Sequence, residues 1–205
     1  WNSKDESLTV WPASQGAQRS KATYVEHLGL PEDKVQVYVK DVGGGFGAKH
    51  DDPEYLAVAY GSMVADAPVK WVESRSDNFT NMNHARGKVS HFELAAKKDG
   101  TLIGMRINHI GDLGAYLKGP TAATHVTSSA ITEGPYIIPN VDLTTHSVYT
   151  NKVPDGAFRG YGRPEGMFVI ERGMALLAEK LEMDPAELRR KNYIPKDAFP
   201  YKNTL

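Results

Sequence analysis

Residues 41–49 read Asp-Val-Gly-Gly-Gly-Phe-Gly-Ala-Lys, four glycines within five positions, and no other stretch narrows the fold as much. The run follows Val35, Val37 and Val39, whose alternation predicts a half-buried strand over residues 35–39. It precedes Asp52-Pro53, an N-cap and first-turn proline for a helix with Leu56, Ala59, Tyr60, Met63 and Val64 along one face. A strand, a glycine turn and a helix start bring unpaired N–H groups together, which suits an anion or an oxo group. Glycine also lets the backbone take positive φ and come close to another group. The spacing matches neither a G-x-G-x-x-G fingerprint nor a Walker loop. A purely structural turn is the other reading of the same residues.

Around this loop the first third reads β-α-β, loop, α-β. Residues 8–11 form a short strand. Ala17, Tyr24, Val25 and Leu28 recur at helical spacing until Gly29 and Pro31 stop the helix, and residues 69–72 form a further strand. Beyond that the pattern changes. Phe92, Leu94 and Ala96 alternate, Asp99-Gly100 marks a hairpin turn, and Ile103, Met105 and Ile107 alternate on the return. Residues 111–139 are rich in Gly, Thr, Ser, Ala and Pro without a period, an irregular stretch of the kind that carries function or an interface. A strand over residues 141–149 ends before Pro154-Asp-Gly. Met167, Ile170, Met174, Leu177 and Leu181 then form the core stripe of a helix. Asp184-Pro-Ala-Glu187 is a capping-box start for a last short helix. The expected class is α+β, a mixed sheet with β-α-β units and a long β-hairpin, in one lobe spanning residues 1–205.

A second stretch, Gly156-Ala-Phe-Arg-Gly-Tyr-Gly-Arg-Pro-Glu165, sets Arg159 and Arg163 among glycines just before the Met167 helix. Guanidinium groups on such a backbone suit an oxyanion or an anionic substrate. The bland alternative is a surface Arg159 and an Arg163 paired with a nearby acid. The other chemistries lack residues. There is no cysteine, which removes thiolate metal sites, iron–sulfur ligation and a cysteine nucleophile. The seven histidines show no HExxH spacing, so no protein-ligated metal is expected. No G-x-S-x-G elbow occurs. Asp51-Asp52 reads as helix capping, and the basic residues between 86 and 98 as a solvated strand face. A net charge of −1 gives no case for nucleic acid or an anionic membrane surface, and no run approaches transmembrane length. A cysteine-free chain fits a reducing compartment, and the expected location is cytoplasmic. The 205 residues open on Trp1 rather than Met, which suggests a fragment or a processed subunit.

Three segments together resemble the molybdenum-binding large subunit of the xanthine dehydrogenase/aldehyde oxidase family, the molybdenum hydroxylases. They are Leu8-Thr-Val-Trp-Pro-Ala-Ser-Gln15, Val42-Gly-Gly-Gly-Phe-Gly-Ala-Lys49 and Gly156-Ala-Phe-Arg-Gly-Tyr-Gly-Arg-Pro-Glu-Gly166. The resemblance runs from about Leu8 to the C-terminus, and Pro135-Tyr-Ile-Ile-Pro-Asn140 and Leu188-Arg-Arg-Lys-Asn192 extend it. It implies the first lobe of a molybdenum cofactor-binding domain, part of an oxidoreductase that hydroxylates an aldehyde or N-heterocycle with oxygen from water. The implied cofactor is molybdopterin, its cytosine dinucleotide form included, with the metal held by the pterin dithiolene. Iron–sulfur and FAD groups would sit on partner subunits or domains. The implied partners are the remainder of the large subunit, an iron–sulfur subunit and a flavin subunit. Within the site, Gln15 matches a glutamine near the molybdenum oxo group. Gly44, Gly45, Phe46 and Gly47 match the loop packed beside the metal. Arg159 matches an active-site arginine that contacts the cofactor region and orients substrate or stabilises developing charge.

The departures narrow the substrate. His50 stands where the xanthine-oxidising branch has a glutamate, and its substrate-clamping arginine falls near Thr127, which counts against a purine. Gly160 stands where carbon monoxide dehydrogenases carry a copper-binding cysteine, which excludes molybdenum–copper chemistry. The family's catalytic glutamate, in a Gly-Val-Gly-Glu-type motif, has no counterpart in these residues, so this piece alone is expected to be inactive. The competing class is a non-catalytic glycine-loop module for a phosphorylated ligand.

Overall fold

The computed structural model describes residues 1–50, 53–118 and 121–204, which fall into two compact units, Trp1–Asn83 and His84–Leu205. In the first unit, β1 (Leu8–Val10) and β2 (Val35–Val37) pair in parallel, with Leu8 opposite Val35 and Val10 opposite Val37. Parallel neighbours need a crossover, and α1 (Ala17–Leu28) supplies it. Gly29 closes α1 in the left-handed region at φ 66°, as the Gly-x-Pro stop predicts. Leu8, Tyr24, Val35 and Ala59 form the buried centre, with Leu28, Val37 and Leu56 against it. Ala59 and Leu56 come from α2 (Pro53–Ala65), and α3 (Arg75–Asn81) follows.

In the second unit, β3 (Lys88–Ala96) and β4 (Leu102–Gly114) form the expected antiparallel hairpin. β5 (Val141–Tyr149) joins β4 in parallel, giving a mixed three-stranded sheet in the order β3-β4-β5. The crossover from β4 to β5 holds α4 (Thr121–Ala130). α5 (Arg163–Leu181) packs against β3, and α6 (Pro185–Asn192) packs on α5. Ile107, Ile138, Ile170, Met174, Ala178 and Leu188 are buried to 1% exposure or less. Truncating one of the larger ones to Ala would cost about 2–5 kcal/mol. Asp184 caps α6 by accepting from the amides of Ala186 and Glu187, at 2.8 and 2.9 Å. At the far end of α6 the buried Asn192 side chain accepts from the Leu102 amide at 2.8 Å and donates to the Gly100 carbonyl at 2.9 Å. That single amide ties α6 to the hairpin turn.

Several sequence expectations are corrected. Residues 69–72 are not a strand; no described segment pairs with them, and Val69, Trp71 and Val72 are exposed. The strand expected over 35–39 stops at Val37, because β1 is only three residues long. α2 buries Ala59 and Ser62, whereas Tyr60 and Val64 are 60% and 70% exposed, so its inward face is rotated from the apolar stripe. α3 was not anticipated, although Ser74 and Asp77 form a reciprocal capping box at its start. The stretch 111–139 is not irregular throughout, since it holds the end of β4 and all of α4. In β4 Leu102 is buried and Ile103 is exposed, because the register shifts between Ala95 and Ala96 and exchanges the two faces there. The Asp52 cap and the Asp51-Asp52 pair lie outside the described residues.

Candidate functional site

In the first unit the site is built from the end of β1 and the loop after β2. The Gln15 amide donates to the Lys49 carbonyl at 2.9 Å. Its side-chain Oε1 accepts from the amides of Gly47 at 2.7 Å and Lys49 at 3.2 Å. Only the oxygen of a carboxamide accepts, so these two bonds fix its orientation and make Nε2 the outward donor. Among the described residues Nε2 has no acceptor. Just before Gln15, Ser14 Oγ accepts from Gly16 N at 3.1 Å and from Ser20 Oγ at 2.8 Å, which anchors the start of α1.

The glycines are needed where the loop meets Gln15. A β-carbon on Gly45 would lie 2.2 Å from Gln15 Cγ, so nothing larger fits under the present side-chain position. Phe46 takes φ 54°, folds its ring over Gly44 and is still 56% exposed. The amides of Gly43 and Gly45 have no acceptor among the described residues, and a β-carbon on Gly43 would meet nothing within 4 Å. This loop therefore offers open N–H donors beside an apolar ring. His50, the residue after the loop lysine, accepts at Nδ1 from Arg19 Nη1 at 2.9 Å, which requires that nitrogen unprotonated.

In the second unit Arg159 lies on an exposed turn with Gly160, Tyr161 and Gly162 at φ 107°, 52° and 85°. Tyr161 N bonds to the Phe158 carbonyl at 2.9 Å and Arg163 N to the Gly160 carbonyl at 3.0 Å. A β-carbon on Gly162 would fall 2.0 Å from the Thr124 carbonyl oxygen, so α4 presses directly on this turn. The Arg159 carbonyl accepts from Arg86 Nη2, and the Arg86 guanidinium lies 5.9 Å from the Phe158 ring centre. Arg163, expected to pair with an acid in the bland reading, instead reaches the Gly160 carbonyl at 3.4 Å.

Beneath the turn is a polar interior that sequence reasoning missed. Asp155 is 2% exposed; its Oδ2 accepts from Thr124 Oγ1 at 3.1 Å and faces His125 Nε2 at 3.3 Å. His125 Nδ1 meets Ser147 Oγ at 2.8 Å, and the fully buried His109 meets Ser90 Oγ at 2.7 Å through Nδ1. Burial first, then the nearby Lys88 and His125, push the His109 ring down to about 4. Burial also lowers Lys88, against the opposing pull of Glu165 and Asp155. Lys88 is thus not part of a solvated face. Strand parity carried the signal, because Lys88 and Ser90 share the face of Phe92 and Leu94, and His109 that of Met105 and Ile107. Among the described residues no group of three or more His, Asp or Glu is placed to hold a metal ion, and no helix is long and apolar enough to cross a membrane.

Comparison with known proteins gives a consistent set of relatives. The family described as "Molybdopterin cofactor-binding domain" matches residues 1–193. The carbon monoxide dehydrogenase large chain of Hydrogenophaga pseudoflava is 39% identical over 95% of this chain and 25% of its own length. The aldehyde oxidoreductase of Megalodesulfovibrio gigas is 39% identical over 84% of this chain and 19% of its own. Among solved structures, quinoline 2-oxidoreductase from Pseudomonas putida 86 superposes with a TM-score of 0.94 at 32% identity, over all of this chain and 26% of that one. The chain thus spans about a quarter of the length of the first of these relatives.

Proposed function

The chain belongs to the molybdopterin cofactor-binding domain family, and from that premise we propose that it is the first lobe, residues 1–205, of the molybdenum-binding subunit of an oxidoreductase acting on an aldehyde or N-heterocycle. The observation that carries the reading is the Gln15-pinned glycine loop with its open amides. Such a loop suits an oxo-bearing group, and a metal held by a pterin dithiolene would need no Cys or His ligand from this chain. When bound, molybdopterin supplies a centre that takes up two electrons while oxygen from water is added to a substrate carbon.

In the first unit Gly43 and Gly45 would offer backbone donors to that group, Gln15 its Nε2, and Phe46 an apolar ring beside them. In the second unit Arg159 would offer a permanent cation toward developing negative charge, where fixed electrostatics are most effective. A thiolate-held copper has no ligand here, because the chain contains no cysteine. The reading extends to iron–sulfur and flavin partners and to a cytoplasmic assembly. It is supported by relatives that include the large subunit of the nicotine 6-hydroxylase of Paenarthrobacter nicotinovorans. The test is molybdenum analysis and pterin fluorescence of the complete native subunit assembly, followed by dye reduction driven by aldehydes and N-heterocycles. Metal and turnover are expected together; an assembly free of molybdenum and pterin would end the reading.

A further inference from the structure

Residues 84–88 touch the arginine turn at three levels. His84 brackets its entry through the backbone: His84 N bonds to the Pro154 carbonyl at 3.1 Å, and Gly156 N bonds to the His84 carbonyl at 2.8 Å. Arg86 holds the Arg159 carbonyl and stacks on Phe158. Lys88 lies within electrostatic reach of Asp155, which immediately precedes the turn, and of Glu165, in the first helical turn beyond it. Lys88 Nζ, Asp155 Oδ1 and Glu165 Oε2 are all buried, and none has a hydrogen-bond partner among the described residues. Charged atoms are not left bare inside a protein, and buried opposite charges within electrostatic reach of one another but without a direct bond are ordinarily joined by ordered water.

We propose that Lys88 is a positioning residue: bridged by internal water to Asp155 and Glu165, it clamps the two ends of the Gly156–Gly162 segment and so holds Arg159 in place. The geometry explains why a cation is needed there. The turn carries three consecutive positive-φ residues, two of them glycines, and has little conformational preference of its own. Two acids flank it, and without a buried counter-charge they would repel each other and draw solvent under the turn. Lys88 supplies that charge from β3, a strand fixed by the core. The role of Arg159 in turnover belongs to the proposed function, and this inference rests on that reading; the clamp itself is read from the turn alone.

The experiment uses the complete subunit assembly with Lys88→Met and Lys88→Arg. Hydrogen exchange of the peptide spanning residues 157–163, which contains the bonded amides of Tyr161 and Arg163, is expected to be at least tenfold faster in K88M. Exchange around Met174 in α5 should be unchanged. Turnover should fall about tenfold, with molybdenum content and KM within twofold of wild type, and K88R should recover most of both losses. Unchanged exchange at 157–163, or equal acceleration at Met174, overturns the clamp. Should K88M fail to fold, K88M/E165Q removes opposed charges together; fast exchange confined to 157–163 in that variant supports the clamp, and wild-type exchange overturns it. Exchange does not depend on the cofactor, so an assembly without molybdenum would defeat the functional reading while the clamp is still decided.

Discussion

Gln15 Oε1 lies 2.7 Å from the Gly47 amide nitrogen, so one side chain closes a loop 32 residues further along the chain. The same oxygen takes the Lys49 amide, and the carboxamide is thereby divided into an end that holds the protein and an end left free to donate. Gln15→Ala should destabilise the first unit by about 1–2 kcal/mol through two lost acceptor bonds. Gln15→Glu should keep those bonds and near wild-type stability while losing the outward donor, and with it a large part of cofactor retention. Thermal unfolding and molybdenum content of the two variants separate the effects. Wild-type melting of Q15A would show that the side chain does not hold the loop.

Gly162 and Gly61 make opposite predictions for the same substitution. Gly162→Ala places a β-carbon 2.0 Å from a backbone oxygen of α4 at a φ of 85°, and should cost more than about 3 kcal/mol or prevent folding. Gly61 is inside α2 with nothing within 4 Å of its β-carbon, so Gly61→Ala should stabilise by about 0.5–1 kcal/mol through helix propensity. Denaturant unfolding of both variants checks the signs.

Arg159→Ala in the complete enzyme should lower turnover about 10²–10³-fold while leaving molybdenum occupancy near wild type, the pattern of a lost charge stabiliser. Steady-state kinetics normalised to bound metal makes the measurement. Full turnover at full occupancy would assign Arg159 to the architecture of the turn.

His109 makes the second unit acid-sensitive. Its ring is held near 4 in the fold, by burial first and then by Lys88 and His125, against about 6.5 when unfolded. Between those values the unfolded chain binds the extra proton, so stability is complete above about pH 6.5 and is lost as the pH falls toward 4. After screening is allowed for, the loss is roughly 2 kcal/mol. Melting curves from pH 7 to 4 should show the decline, and His109→Asn should flatten it.

What the sequence revealed and what it hid divide along physical lines. Local codes were legible: Gly29 stopping α1, Asp99-Gly100 turning the hairpin, Asp184 capping α6. The core stripe of α5 was legible because Ile170 and Met174 recur with the helical period. The strand at residues 69–72 was misread because β-propensity says nothing about whether a partner edge exists. α4 was missed because Thr, Ser and Ala have weak patterning, and its helical state depends on the β4–β5 crossover it fills. The arginine turn was legible from its glycines. Its buried support was not, because Lys88, Asp155 and Glu165 come within electrostatic reach of one another only through tertiary structure.

The Asn192 amide has a consequence for how the molecule is made. Its partners at Leu102 and Gly100 are 90 and 92 residues earlier, so on a ribosome the Leu102 amide and the Gly100 carbonyl wait for almost the whole second unit to emerge before they are satisfied. The first unit closes β1 on β2 across 27 positions, from Leu8 to Val35, and can settle while the second is still being synthesised. Assembly of this chain is therefore sequential, with the glycine loop shaped early and the hairpin turn among the last parts to be secured.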